Sequence, residues 1–259
     1  MPPSDSKPEA ERDPFFIGWN PMPRSYARFL APVAFVLLVA LAAGGAVLAW
    51  GQRSPGPGVW DDDLTTFTGV VYAEPYAMIR VPGESGAPPR TMLLVAEGKF
   101  GAKERVKPHD GKPVRVRGTL LSRGGWQMLE LADGDDGLRA AELPEAEQAV
   151  LRRPVAKSLG AVTLRGEIVD SKCYLGAMKP GGGRTHKGCA VLCLKGGVPP
   201  VFVSRDEGDA LYLLANAEGG PLEPAYFDLA ADAIRLGGQV EEWGDFRILK
   251  VPPAANPGR

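Results

Sequence analysis

The sequence predicts a mainly β protein. One apolar helix near the N-terminus crosses a membrane, and two small β-barrels follow. The second barrel carries a loop–helix insertion bearing cysteines and a histidine. Three observations predict this. A charge-free apolar run extends from Phe29 to Trp50. After it, short runs of aliphatic, β-branched and aromatic residues recur, each closed by Gly or Pro. Two of the later stretches also repeat one another in register.

The bulk composition bounds the reading. A chain of 259 residues allows one or two modest domains. Its 44% apolar and 24% charged residues are ordinary globular usage. A formal net charge of −1 gives no field to attract nucleic acid, and no nucleic-acid partner is expected. The 33 Gly and 25 Pro residues suit many short strands joined by turns.

The apolar run FLAPVAFVLLVALAAGGAVLAW occupies residues 29–50. At about 1.5 Å per residue it spans roughly 33 Å, enough for a hydrocarbon core of about 30 Å. Arg24 and Arg28 precede it, whereas Arg53 and the acidic Asp61-Asp62-Asp63 follow. Basic residues favour the cytoplasmic side, so the expected topology is a single pass through the inner (cytoplasmic) membrane, N-terminus inside and the remainder extracytoplasmic or periplasmic. Lipid is thus the first expected partner, with Trp50 as an interfacial anchor and Pro32 near the helix start. A cleaved signal peptide fits less well, because the lead is long and the run exceeds an h-region. Residues 1–28 read as a cytoplasmic tail, polar and Pro-rich over 1–20, with Phe15, Phe16, Ile17 and Trp19 at headgroup level.

Residues 51–64 read as a Pro/Gly linker, and five strands are expected over 65–132: 67–72, 76–81, 91–95, 114–120 and 126–131. A linker with a short helix follows at 133–160. A second β-domain spans 161–252, with strands at 162–169, 200–203, 210–215, 233–240 and 246–251, and a disordered tail covers 253–259. VRVRGTLLSRGGWQMLEL (114–131) aligns without gaps to IRLGGQVEEWGDFRILKV (234–251), with Arg115/Arg235, Gly118/Gly238, Gly124/Gly244 and Leu129/Leu249 identical. The opening strands FTGVV (67–71) and LRGEI (164–168) share a central glycine. The layout resembles two tandem oligonucleotide/oligosaccharide-binding (OB) type barrels. The second is about 20 residues longer between its opening strand and closing hairpin, and that extra length holds the unusual residues.

All 3 cysteines and one of the 2 histidines fall in that insertion: Cys173, His186, Cys189 and Cys193, spaced C-x12-H-x2-C-x3-C. A helix is expected from Thr185 as N-cap to Gly196-Gly197, placing His186, Cys189 and Cys193 on one face. Cys173 then folds back to complete a site. The stretch GEIVDSKCY…HKGCAVLC…GGVPP resembles one found in uncharacterised bacterial membrane-anchored proteins, a resemblance that implies no activity.

Three readings compete. Three thiolates and an imidazole suit a thiophilic transition metal, copper or zinc, with Met178 as an added thioether for copper. Alternatively the cysteines do redox or nucleophilic chemistry, activated by Arg165, Lys172, Lys179, Arg184, Lys187 and Lys195, with Cys189 at the helix start gaining most. No third residue is visible to orient His186 as a base, so a binding role is expected rather than an enzyme. The third reading is a disulfide staple with one cysteine left over, in a structural subunit of a membrane complex. The leading expectation is a membrane-anchored accessory protein that binds or transfers metal to a protein partner at the membrane. The flexible PGGGR (180–184) is expected to be a hinge and His109 a surface turn, DGDDG (133–137) is too short for a calcium loop, and Tyr174 and Phe202 are expected to be packing residues.

Overall fold

The computed structural model describes residues 22–51 and 56–254, apart from the side chains at positions 50, 51 and 85. The tail over 1–20 with Phe15, Phe16, Ile17 and Trp19 lies outside the described residues. So do Arg53, the Trp50 side chain and positions 255–259. The apolar run forms α1 (Arg24–Gly51), long and apolar enough to cross a membrane. It begins before Phe29, so Pro32 lies inside the helix rather than at its start. That placement is tolerated in membrane helices, where neighbouring groups satisfy the freed carbonyl.

Contacts divide the chain into Met1–Arg53 and Ser54–Arg259, and the second unit holds both barrels. The first barrel comprises β1 (Val59–Tyr72), β2 (Met78–Val81), β3 (Arg90–Val95), a short α2 (Lys103–Val106), β4 (Pro113–Arg123) and β5 (Trp126–Leu131). β6 (Leu138–Ala140) adds to the outside of β4, and α3 (Glu145–Val150) leads onward. The second comprises β7 (Lys157–Asp170), α4 (Lys187–Lys195), β8 (Pro200–Ser204), β9 (Ala210–Asn216), β10 (Ile234–Trp243) and β11 (Phe246–Val251). β1 and β7 start earlier than expected, inside the segments read as linkers, because each pairs along its length with β4 or β10.

Both barrels close in one order. β1-β2-β3-β5-β4 returns to β1, β7-β8-β9-β11-β10 returns to β7, and β3–β5 and β9–β11 are the parallel pairs. This is the OB topology in both copies. The aligned residues hold equivalent registers: Gly69 faces Val114 as Gly166 faces Ile234, and Leu120 faces Leu129 as Val240 faces Leu249. The repeated Gly118 and Gly238 are required by space. A Cβ there would lie 1.9 Å from Glu130 O and 2.2 Å from Lys250 O, respectively.

Strand alternation sorts the apolar side chains into three layers. Ile79, Val81, Met92 and Leu94 point into the first barrel; Phe202, Tyr212 and Leu214 point into the second. Their neighbours Met78, Leu93, Val95, Val201, Val203, Leu213 and Ile248 form a third layer shared by both barrels. Burying each such side chain is worth about 1.5–3 kcal/mol, so the barrels hold together as one body. Trp126 and Phe246, equivalent in the alignment, stack on each other with centroids 4.3 Å apart. The buried Tyr76 hydroxyl donates to Leu214 O at 3.0 Å and accepts from Leu222 N–H at 2.8 Å, joining the β1–β2 connection to the second barrel. The β2–β3 face, where OB barrels commonly hold ligands, is thus covered by its counterpart.

Candidate metal centre

The site grows out of β7. This strand ends at Asp170, which is fully buried, and the chain turns at once into a tight helical turn beginning at Cys173. The Asp170 carboxylate makes that turn. Oδ1 accepts the Cys173 backbone N–H at 2.8 Å, and Oδ2 lies 3.0 Å from His186 Nε2. One acid therefore holds both the first cysteine and the histidine. Asp170 stands three residues before Cys173 in the sequence. It is also the orienting residue for His186 that sequence reading did not find.

The Gly-rich segment is not a free hinge. Gly181 is buried, and a Cβ there would lie 2.2 Å from Cys173 O. Gly183 N–H donates to Glu167 Oε2 at 2.9 Å. Thr185 does not cap a helix. A 3-10 turn covers Arg184–His186, and α4 starts at Lys187 with the Asp170-bound His186 at its boundary. The helix then presents Cys189 and Cys193, as expected, and ends at Gly196-Gly197.

The four predicted residues converge as two overlapping triads. Ligand atoms of Cys173, His186 and Cys189 lie within 4.8 Å of one another, as do those of Asp170, Cys173 and Cys193. Cys173 belongs to both. All three cysteines are free thiols, Cys173 and Cys193 buried and Cys189 half-buried. Three cysteines and a histidine thus form a cluster able to hold a metal ion. Met178 does not join it: it is 48% exposed and lines a separate cavity with Tyr174, Gly181 and Arg205. Tyr174 and Phe202 are buried packing residues, with the Arg123 guanidinium 4.0 Å from the Tyr174 ring centre.

The cation at the cysteines comes from the other barrel. Lys99, in the loop after β3, places Nζ 2.7 Å from Cys189 Sγ and 3.9 Å from Cys193 Sγ. Four of the six basic residues expected to serve the cluster have partners elsewhere. Lys187 and Arg184 pair with Asp232, and Arg165 with Asp206. Lys172 reaches across to the loop that carries Lys99, donating to Ala96 O at 3.1 Å and Gly98 O at 2.7 Å and pairing with Glu130. The same loop docks on the end of α4, where Gly101 N–H donates to Gly196 O at 2.9 Å. A Cβ at Gly196 would lie 1.9 Å from Lys99 O, so this close approach requires glycine.

Electrostatics separates the thiols. A hydrogen bond from Cys173 to the Cys193 sulfur, with help from Lys99, outweighs burial and holds the Cys193 thiol down at about 7. The same bond, with burial and the Asp170 charge, pushes the Cys173 thiol well up. The hydrogen bond to Cys189 in turn raises the Lys99 ammonium. In the metal-free chain the ultraviolet absorbance of thiolate should therefore rise through a step near about pH 7, with thiolate above it and thiol below. That step should vanish in Cys193→Ser; its persistence there would assign it to another sulfur.

No family model matches the chain, and neither curated proteins nor solved structures yield a similar one.

Proposed function

We propose that this chain is a membrane-tethered, extracytoplasmic accessory protein that binds a thiophilic metal ion, copper or zinc, and hands it to a protein partner at the membrane. The observation carrying this reading is the buried Cys173 shared by two donor triads, beside a histidine held by a buried carboxylate. Metal-bound histidines commonly donate their second N–H to a carboxylate, which fixes the ring and raises its basicity. With Nε2–H given to Asp170, the Nδ1 lone pair is left for a metal. The donors are soft sulfur and imidazole, which suits copper(I) or zinc over calcium or magnesium. Lys99 offsets part of the thiolate charge. Arg24 and Arg28 before the helix, and the acidic residues after it, favour the barrels outside the cytoplasm. The resemblance to uncharacterised membrane-anchored proteins fits the same reading without adding an activity.

The test is metal analysis of the full chain, purified anaerobically in detergent, alongside thiol titration. One copper or zinc per chain is expected, with thiols protected until a chelator is added. A metal-free protein that takes up neither ion, with Cys173 and Cys193 joined as a disulfide, would sink the proposal.

A second reading draws on one observation. Asp170, His186 and an adjacent thiol have the order of an acid–base–nucleophile set. It predicts that Asp170→Asn slows alkylation of the metal-free thiols near neutral pH. Equal rates in the two proteins would dismiss it.

A further inference from the structure

We propose that Lys99 and Cys189 form a covalent nitrogen–oxygen–sulfur bridge when the metal-free protein meets hydrogen peroxide. The two side chains approach to 2.7 Å between Nζ and Sγ. That is as short as a charge-assisted N–H···O bond, although sulfur is the larger atom. A single oxygen joined to both atoms by ordinary single bonds sets nitrogen and sulfur at about this separation.

The surroundings select this pair. The loop bearing Lys99 is clamped at both ends, by Lys172 on Ala96 O and Gly98 O and by Gly101 on Gly196 O. Lys99 is therefore delivered to the sulfur rather than sweeping freely. Lys99 is exposed and Cys189 half-buried, so peroxide reaches them. Cys173 and Cys193 are 5% and 1% exposed and neighbour each other. An odd cysteine count leaves one sulfur over when two pair, and Cys189 is the one nearer the amine, at 2.7 Å against 3.9 Å for Cys193. A disulfide between Cys189 and Cys193 would have to close between positions i and i+4 of α4, distorting the helix.

The chemistry balances in two steps. In the first, the Cys189 thiol takes oxygen from one peroxide: the O–O bond breaks, an S–O bond forms, and water leaves with the thiol hydrogen retained on the sulfenic acid. In the second, the Lys99 amine, having released its ammonium proton to solvent, is joined to the sulfenic oxygen. An N–O bond forms and the O–O bond of a second peroxide breaks. One hydrogen from nitrogen and one from the sulfenic acid leave in two waters. Sulfur and nitrogen together lose four electrons to the two peroxides. The bridge would bind the loop of one barrel to the helix of the other.

The bridge does not depend on metal binding, and the test separates the two. Full-length protein in detergent is stripped of metal, freed of reductant and treated with a small excess of hydrogen peroxide. The expected product is heavier by about 14 Da, one oxygen gained and two hydrogens lost relative to the thiol and amine. Digestion should give one linked peptide pair containing Lys99 and Cys189, released by a thiol reductant. Lys99→Arg, which keeps the charge, should give no linked pair. A gain of about 16 Da per oxidised sulfur, a loss of about 2 Da for a disulfide, or no change, with Lys99 peptides unlinked, would overturn the proposal. Zinc added before peroxide is expected to block the link; a link formed regardless counts against metal at Cys189, not against the bridge.

Discussion

Cys173→Ser is expected to remove metal binding from the chain, at least about 100-fold in affinity by chelator competition. The reason is topological. Cys189 serves one triad and Cys193 the other, whereas Cys173 serves both. Either helix cysteine can be lost with a triad still standing, so Cys189→Ser and Cys193→Ser should each leave weaker, measurable binding. Asp170→Asn makes the companion measurement. It keeps the shape but weakens the hold on His186, and a loss of about 10–100-fold is expected. A thermal melt of each variant separates lost ligands from lost structure, because a buried Cys→Ser change costs about 0.5–3 kcal/mol by itself. Wild-type affinity in Cys173→Ser would mean that the metal is held elsewhere.

The largest effect on stability is expected at Phe246→Ala. This ring is 2% exposed and lies in the layer common to both barrels. Emptying such a site costs about 3–5 kcal/mol, and the lost stack on Trp126 is worth a further ~0.5–1.5 kcal/mol. Urea unfolding of the full chain in detergent should show the midpoint falling in a single transition. Separate transitions, or a loss below about 1 kcal/mol, would show that the barrels stand apart.

Much of this architecture was legible because each strand carries its own punctuation. The closing hairpins could be matched residue by residue, since Gly118 and Gly238 meet the same steric demand in each copy. The packing of one barrel on the other was less legible, although the sequence carried its mark. TMLLV and ALYLLA lack the polar alternation of a half-exposed strand, because both of their faces are buried. The four site residues were legible from their rarity and clustering. Lys99 was not. Nothing local distinguishes it from other lysines, and it reaches the cysteines only because loops distant in sequence are clamped by Lys172 and Gly196. The cations nearest the cysteines in sequence were misleading for the same reason: local density says nothing about direction. The helix start also went astray, since Asp170 holds His186 at the boundary and leaves Thr185 with no capping role.

The stacking of Trp126 on Phe246 places matching residues of the two copies face to face, as at the centre of a homodimer. In a true homodimer every change appears twice, and a cysteine insertion would bring two metal sites and two lysines. Here the two halves are one polypeptide, so they need not match. One half has a short link between its first two strands, with Tyr76 in it; in the other that link is long and holds the cysteine cluster. The result is a division of labour, in which one barrel supplies the sulfurs and the other supplies the charge. For the proposed metal binding, this broken symmetry implies one ion per chain rather than two.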